Sequence, residues 1–267
     1  EPEESLLSWV DQDLVEVFEK DNEGMFERIH LSTRVAQLTV EEGKAKVSMQ
    51  SKDGEIEKEY DLVLVALGRV PNTSGLQLGK AGVELDAEGF VKVDDKRRTS
   101  TPTIYAIGDV AAKPQYANKA SYEGRIVAEV IAGEEGAVYD PKAIPCVVAT
   151  TASEIAWCGL TEAQAKEAGI EVKVARFPWQ ASGKAVLFGD TNGLTKLILE
   201  PETERILGGG AAGKNAGALI SEISLAVEMA ATARDISLMI HPHPTLSETI
   251  TGAARDFLGS PTYKTGK

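Results

Sequence analysis

The segment His241-Pro242-His243-Pro244-Thr245-Leu246-Ser247-Glu248 holds two of the chain's three histidines. If a helix begins near Thr245, the Glu248 carboxylate can fold back toward His243. A carboxylate on one imidazole nitrogen fixes the tautomer and raises basicity, leaving the other nitrogen to exchange protons. Two other readings stay open. His241 and His243 are of the type that ligates a metal, although no third ligand is spaced for it. The prolines also make a rigid turn into a helix, with Pro and Thr near its first position. A second candidate is Tyr105-Ala106-Ile107-Gly108-Asp109-Val110, an apolar run ending in Gly-Asp. In open α/β sheets, ligands lie beyond the carboxyl ends of strands. Gly108 lets backbone approach a ligand there, and Asp109 can accept a hydrogen bond from a ribose or polyol hydroxyl. The competing reading of Gly-Asp is an ordinary strand-end turn.

These residues need elements to position them. Asp11 or Asp13 is placed to cap a helix in which Leu14, Val17 and Phe18 share one face. Alternating runs at 30–40, 45–50 and 55–60 read as strands, and Asp53-Gly54 is a hairpin signal. Residues 62–67 (LVLVAL) are continuously apolar, which predicts a strand buried on both faces, as in a parallel sheet. Residues 70–103 are turn-rich. The run 103–107 predicts a second buried strand, and a helix is expected from about Lys119 to Ile131. The texture changes near Asp140-Pro141. Strands are then expected at 146–150, 154–160, 171–177, 184–188, 194–200 and 205–211. Helices are expected after Thr161, from about Ala216 to Ala230, and over roughly 246–258. Sequential strands followed by helices argue for an antiparallel α+β domain with its boundary near residue 141.

Composition bounds the answer. The chain has 267 residues, 43% hydrophobic and 26% charged, which is ordinary for a globular protein and argues against disorder. No apolar run approaches the ~20 residues needed to span a bilayer as a helix. The net charge of −13 disfavours nucleic acid and anionic membranes as partners. Cys146 and Cys158, twelve residues apart, fit neither a disulfide framework nor a zinc knuckle nor a redox C-x-x-C. They read as small core residues in a reducing compartment. Position 1 is Glu, and no signal-peptide pattern precedes the fold, so the chain reads as starting in the middle of something.

HPHPTLSE resembles the catalytic His-x-His-Pro-Thr-Leu-x-Glu segment of the dihydrolipoamide dehydrogenases, which are flavoprotein disulfide reductases. Tyr105–Val110 resembles that family's second flavin-contacting motif. Leu64-Val65-Ala66-Leu67-Gly68-Arg69-Val70-Pro71-Asn72 resembles its crossing out of the nicotinamide domain. Residues 154–162, Phe177-Pro178-Trp179, Ala181-Ser182-Gly183 and the helix from about Ala216 to Met229 resemble its dimer-interface domain. The likeness extends over essentially the whole chain. Glutathione and mercuric reductases share the plan, but the HPHPTLSE wording favours lipoamide.

The resemblance implies α/β plus α+β architecture: a partial nucleotide-binding, Rossmann-like domain followed by an antiparallel-sheet dimerisation domain. Residues 1–69 would be the C-terminal half of the NAD-binding domain, 70–140 the central, FAD-contacting domain, and 141–267 the interface domain. His243 would be the acid–base that shuttles a proton to and from the dithiol, with Glu248 orienting it. It would reach across a homodimer to the partner subunit's disulfide and flavin. Asp109 would hold the ribityl chain of FAD, with Gln115, Tyr116, Ala117 and Asn118 along the flavin. Glu1 would bind the adenosine ribose of NAD, and Val35 and Gly68 would lie near NAD. Asn118 departs from the pattern, because the family often has His there. The bond between His243 and Pro244 would be cis. No metal is implied. Partners would be a second copy and the lipoyl domains of 2-oxoacid dehydrogenase complexes, in the cytoplasm of a bacterium or, as a second setting, the mitochondrial matrix. The family's two G-x-G-x-x-G loops and its C-x-x-x-x-C redox pair do not occur in this sequence, and the reading places them upstream of Glu1. On that reading the chain is a truncated dehydrogenase, inactive alone. The alternatives are a noncatalytic dimerising fragment and a related FAD/NAD(P) disulfide reductase.

Overall fold

The helix nearest the N-terminus forms because one of its sides has a surface to cover. In the computed structural model, which describes residues 1–261, α1 (Gln12–Asp21) buries Leu14, Val15 and Phe18. β1 (Thr33–Glu41), β2 (Lys44–Ser51) and β3 (Gly54–Tyr60) follow as an antiparallel sheet in that order. The β2–β3 turn closes on the Ser51–Gly54 pair, and β1 carries an irregularity between Val35 and Gln37.

The apolar run 62–67 does not become the buried strand that its composition predicts. Leu62, Leu64 and Leu67 are 85%, 89% and 90% exposed, and the run is in no strand. A strand needs a ladder partner for its backbone groups, and among the described residues none pairs with this segment.

The chain divides into two compact units, Leu64–Pro141 on one side and Glu1–Val63 with the residues from Lys142 on the other. Within the smaller unit, the expected strand at 103–107 is reduced to one bridge between Arg98 and Tyr105. Turns at Thr101 and Gly108 leave too few consecutive residues for a ladder. α2 (Ala117–Ala132) packs Ile126 inward and ends on Gly133 in the left-handed region. Buried among the apolar residues are three charges. Glu123 meets Lys119 at 3.0 Å and Arg97 at 3.2 Å.

In the larger unit, β4 (Cys146–Ala149), β5 (Glu154–Gly159), β6 (Lys173–Pro178), β7 (Leu194–Leu199) and β8 (Ile206–Gly213) build a five-stranded antiparallel sheet in the order β4-β5-β8-β7-β6. Its helices are α3 (Glu162–Ala168), α4 (Gly183–Phe188), α5 (Ala216–Glu228), α6 (Ala233–Leu238) and α7 (Glu248–Phe257). Alternation sorts the faces. Ala156, Cys158, Leu197 and Leu199 meet α5 and α7, whereas Ile155 and Ala212 meet α1. Thr161 caps α3 reciprocally with Gln164. Asp11 lies at the α1 N-cap but makes no cap bond there. Its Oδ1 accepts the Glu162 N–H instead, at 2.9 Å, so it serves α3.

One further expectation is corrected. Residues 184–188 form helix α4 and not a strand, because Ser182 accepts the Ala185 N–H and Gly189 closes the turn at φ +69°. Helix α5 forms within two residues of its expected bounds. Leu219, Ile220, Ile223, Ala226 and Val227 are buried in the chain's own core, leaving Leu225 and Met229 exposed.

Candidate active site

The two histidines lie between α6 and α7. α6 was not expected. Its signal is Thr232-x-x-Asp235, a reciprocal cap in which Thr232 Oγ1 accepts the Asp235 N–H and Asp235 Oδ2 accepts the Thr232 N–H. α7 is fixed by burial of Thr249, Ile250, Ala253, Ala254 and Phe257. Gly252 allows this packing, since a Cβ there would stand 2.2 Å from the Phe177 ring.

Glu248, the first residue of α7, bonds in two directions. Its Oε1 lies 3.0 Å from His243 Nδ1, and its Oε2 accepts the Thr245 N–H at 2.9 Å. Burial pushes the Glu248 carboxyl up, but the Thr245 N–H and the His243 imidazole outweigh it, so its pKa lies below the ordinary glutamate value. An ionised Glu248 accepts a hydrogen bond from Nδ1–H of His243. Nε2 of His243 bonds to nothing among the described residues, and the side chain is 74% exposed. An exposed Nε2 with a carboxylate behind the ring is the arrangement of a general base. The bond between His243 and Pro244 is cis.

His241 behaves differently. Its side chain is 6% exposed, and both ring nitrogens are engaged. Nε2 lies 2.8 Å from Glu222 on α5, and Nδ1 lies 2.8 Å from Thr251 Oγ1 on α7. Glu222 and Thr251 are the site residues that sequence reasoning missed. They are far from His241 along the chain, and no local pattern links them. A cleft of about 550 Å³ runs past His241, His243, Glu248, Gln180, Ser182 and Arg255.

The other candidates lie elsewhere. Asp109 sits in a 3₁₀ turn over Gly108–Val110. Its Oδ2 is 3.3 Å from Arg69, which also donates to the Gln115 carbonyl at 2.8 Å. Gln115 Nε2 donates to the Asp109 carbonyl at 3.0 Å. Gly108 has φ +72°, and its N–H donates to the buried Glu123. Tyr116 is the N-cap of α2, Ala117 opens that helix, and Asn118 Oδ1 accepts the Lys119 N–H at 3.0 Å. Glu1 is exposed, with Oε1 accepting the Glu3 N–H at 3.1 Å. Val35 is exposed on β1, and Gly68 has φ +101°. The structure therefore brings His243 to Glu248, and Asp109 to Gln115.

Two further groups carry no site. Cys158 is buried, and desolvation pushes its thiol up to about 11, so it stays protonated at neutral pH. Asp11, Asp13 and Glu162 lie close enough to hold a cation, and the Lys196 ammonium meets all three. Arg176 bonds Asp13 and Glu162 as well, at 2.6 and 2.7 Å.

Two family models match. The pyridine nucleotide-disulphide oxidoreductase model covers residues 3–124, and the dimerisation-domain model of the same group covers 144–254. The chain is 45% identical to dihydrolipoyl dehydrogenase of Haemophilus influenzae over 257 residues, 96% of this chain and 53% of the relative. Identity to the Vibrio cholerae enzyme is also 45%, over 96% of this chain and 54% of that one. The chain thus spans about half the length of these relatives. Among solved structures, LpdA of Mycobacterium tuberculosis superposes with a TM-score of 0.86 at 27% identity, covering 96% of this chain and 55% of that one. An HOCl-induced flavoprotein disulfide reductase from Escherichia coli gives 0.83 at 26% identity, covering 95% and 57%.

Proposed function

Because the chain belongs to the pyridine nucleotide-disulphide oxidoreductases, we propose that the protein containing it oxidises protein-bound dihydrolipoamide with FAD and NAD⁺. The observation that carries this reading is the His243 imidazole, held at Nδ1 by Glu248 and open at Nε2. The relatives at 45% identity are dihydrolipoyl dehydrogenases and support the choice of substrate. His243 Nε2 takes a proton from the dithiol. A thiolate, not a thiol, is the nucleophile toward a disulfide. Glu248 holds the ring in the tautomer with Nε2 unprotonated and stabilises the imidazolium that follows.

The described residues fit a flavin at Asp109. Its carboxylate is partly exposed and of the kind that accepts hydrogen bonds from hydroxyls. Gln115, Tyr116, Ala117 and Asn118 would line the flavin. Bound FAD supplies the relay of electrons between a disulfide and NAD⁺. Glu1 offers an exposed carboxylate of the kind a ribose diol binds, with Val35 and Gly68 as further NAD contacts.

The same reading divides the chain at residues 69 and 140 into nicotinamide, central and interface domains. It makes the protein a homodimer in a bacterial cytoplasm that serves lipoyl domains. The dimerisation-domain match and the exposed Leu225, Met229, Leu238 and Ile240 support the dimer. His243 would act on the partner subunit's disulfide, in keeping with its place inside the dimerisation-domain match.

The test is His243→Gln in the holoenzyme. Acid–base help of this kind is worth about 10²–10⁴-fold, so dithiol-dependent NAD⁺ reduction should fall by that factor with flavin still bound. A near-normal rate would overturn the assignment.

A further inference from the structure

The two histidines of the site are close in sequence and opposite in environment. Of residues 239–243, only His241 is not exposed. Its imidazole ties the segment to α5 through Glu222 and to α7 through Thr251, each at 2.8 Å. Thr245 Oγ1 adds one bond, to the Pro242 carbonyl. His243, two residues on, has Glu248 as its only ring partner among the described residues.

The hydrogens follow from the acceptors. Thr251 has one hydroxyl proton, and its Oγ1 lies 2.8 Å from His241 Nδ1 but 3.5 Å from the Ile236 carbonyl. The shorter contact takes the proton, so Nδ1 accepts and Nε2–H donates to Glu222. At His243 the order reverses, with Nδ1–H donating to Glu248 and Nε2 bare.

We infer that His241 is a positioning residue: the Glu222–His241–Thr251 chain of hydrogen bonds sets the backbone that presents His243, and it holds the His241 imidazole in the tautomer opposite to the one that Glu248 holds at His243. This rests on the reading of His243 as the acid–base. His241 touches no reacting atom in it. Its effect is geometric, because a misplacement of about 1 Å at a reacting group costs up to about 10²-fold in rate.

Two measurements test this. The first needs no variant beyond those used for assignment. Ring ¹⁵N spectra are recorded at a pH of about 9, where an ordinary imidazole is neutral. His241→Phe and His243→Gln each remove one signal set. The expected result is Nε2–H for His241 and Nδ1–H for His243. Nδ1–H at His241, or the same tautomer at both, overturns the inference.

The second is kinetic, on the holoenzyme. His241→Phe should lower kcat for dithiol oxidation by about 10- to 100-fold while KM stays within about twofold, as for loss of transition-state alignment alone. NADH-driven reduction of ferricyanide through the flavin should be unchanged, which reports intact folding. Glu222→Gln keeps an acceptor for Nε2–H and should lose less than Glu222→Ala. Equal losses, or a normal kcat in His241→Phe, overturn the positioning role. If His243→Gln also retains normal dithiol oxidation, the acid–base reading itself has failed. If His243→Gln is inactive and His241→Phe is normal, only the positioning role has.

Discussion

Leu62-Val63-Leu64 and Leu197-Ile198-Leu199 are nearly the same tripeptide with opposite fates. The second lies on an interior strand of a five-stranded sheet and is at most 1% exposed, whereas the leucines of the first are at least 85% exposed. β7 has β6 on one side and β8 on the other, with α7 over one face. Residues 62–67 have no strand beside them among the described residues. Apolarity therefore nominates a strand, and neighbours make it one. The stable part of this molecule is where backbone and side-chain partners are both present.

The largest effect expected concerns the residue just before that tripeptide. Lys196 is fully buried against Asp11, Asp13 and Glu162. Lys196→Ala removes the cation that meets all three and leaves the nearly buried Asp11 without one, and it should cost about 3–5 kcal/mol in denaturant unfolding. A loss no larger than that of an exposed lysine would mean the pocket is wetter than its geometry indicates. Next is Leu197→Ala, expected to cost about 2–5 kcal/mol, against a change within about 0.5 kcal/mol for Leu64→Ala. Equal costs would break the comparison between the two runs. Thr161→Ala removes the reciprocal cap of α3 and should cost about 1 kcal/mol, read from the same unfolding curves.

A smaller, pH-dependent effect sharpens the picture. Burial pushes the Asp13 carboxyl up, but Lys196 and Arg176 more than offset it, so its pKa lies below the ordinary aspartate value. A depressed folded pKa means the contribution is complete above the unfolded value of about 4 and is lost as pH falls below it. Thermal unfolding between pH 5 and 2 should show this acid loss in the parent chain and less of it in Lys196→Met. Identical acid profiles would remove Asp13 from the account.

Much of the sheet was legible because antiparallel strands and caps are local signals. The strands near 146, 154, 171, 194 and 205 emerge within a few residues of their expected positions, as does the capped helix after Thr161. α4 was not, since Lys184-Ala185-Val186-Leu187-Phe188 has a strand's composition and only Ser182 and Gly189 mark it as a helix turn. The chemistry of Glu248 toward His243 was readable for the same reason of proximity: helix entry after Thr245 brings a residue five positions on back to the imidazole.

What sequence determined here is what spacing can carry: the places of strands β4–β8, the capped start of α3 and the His243–Glu248 pair. Tertiary structure alone decided which apolar run is buried, and that Asp11 caps α3 instead of α1. It also decided that Glu222 and Thr251 close both nitrogens of His241. The physical reason is common to all three. A hydrogen bond or a buried face is completed by whichever group arrives in space, and for these residues that group lies on another element, at a separation along the chain that no periodicity records.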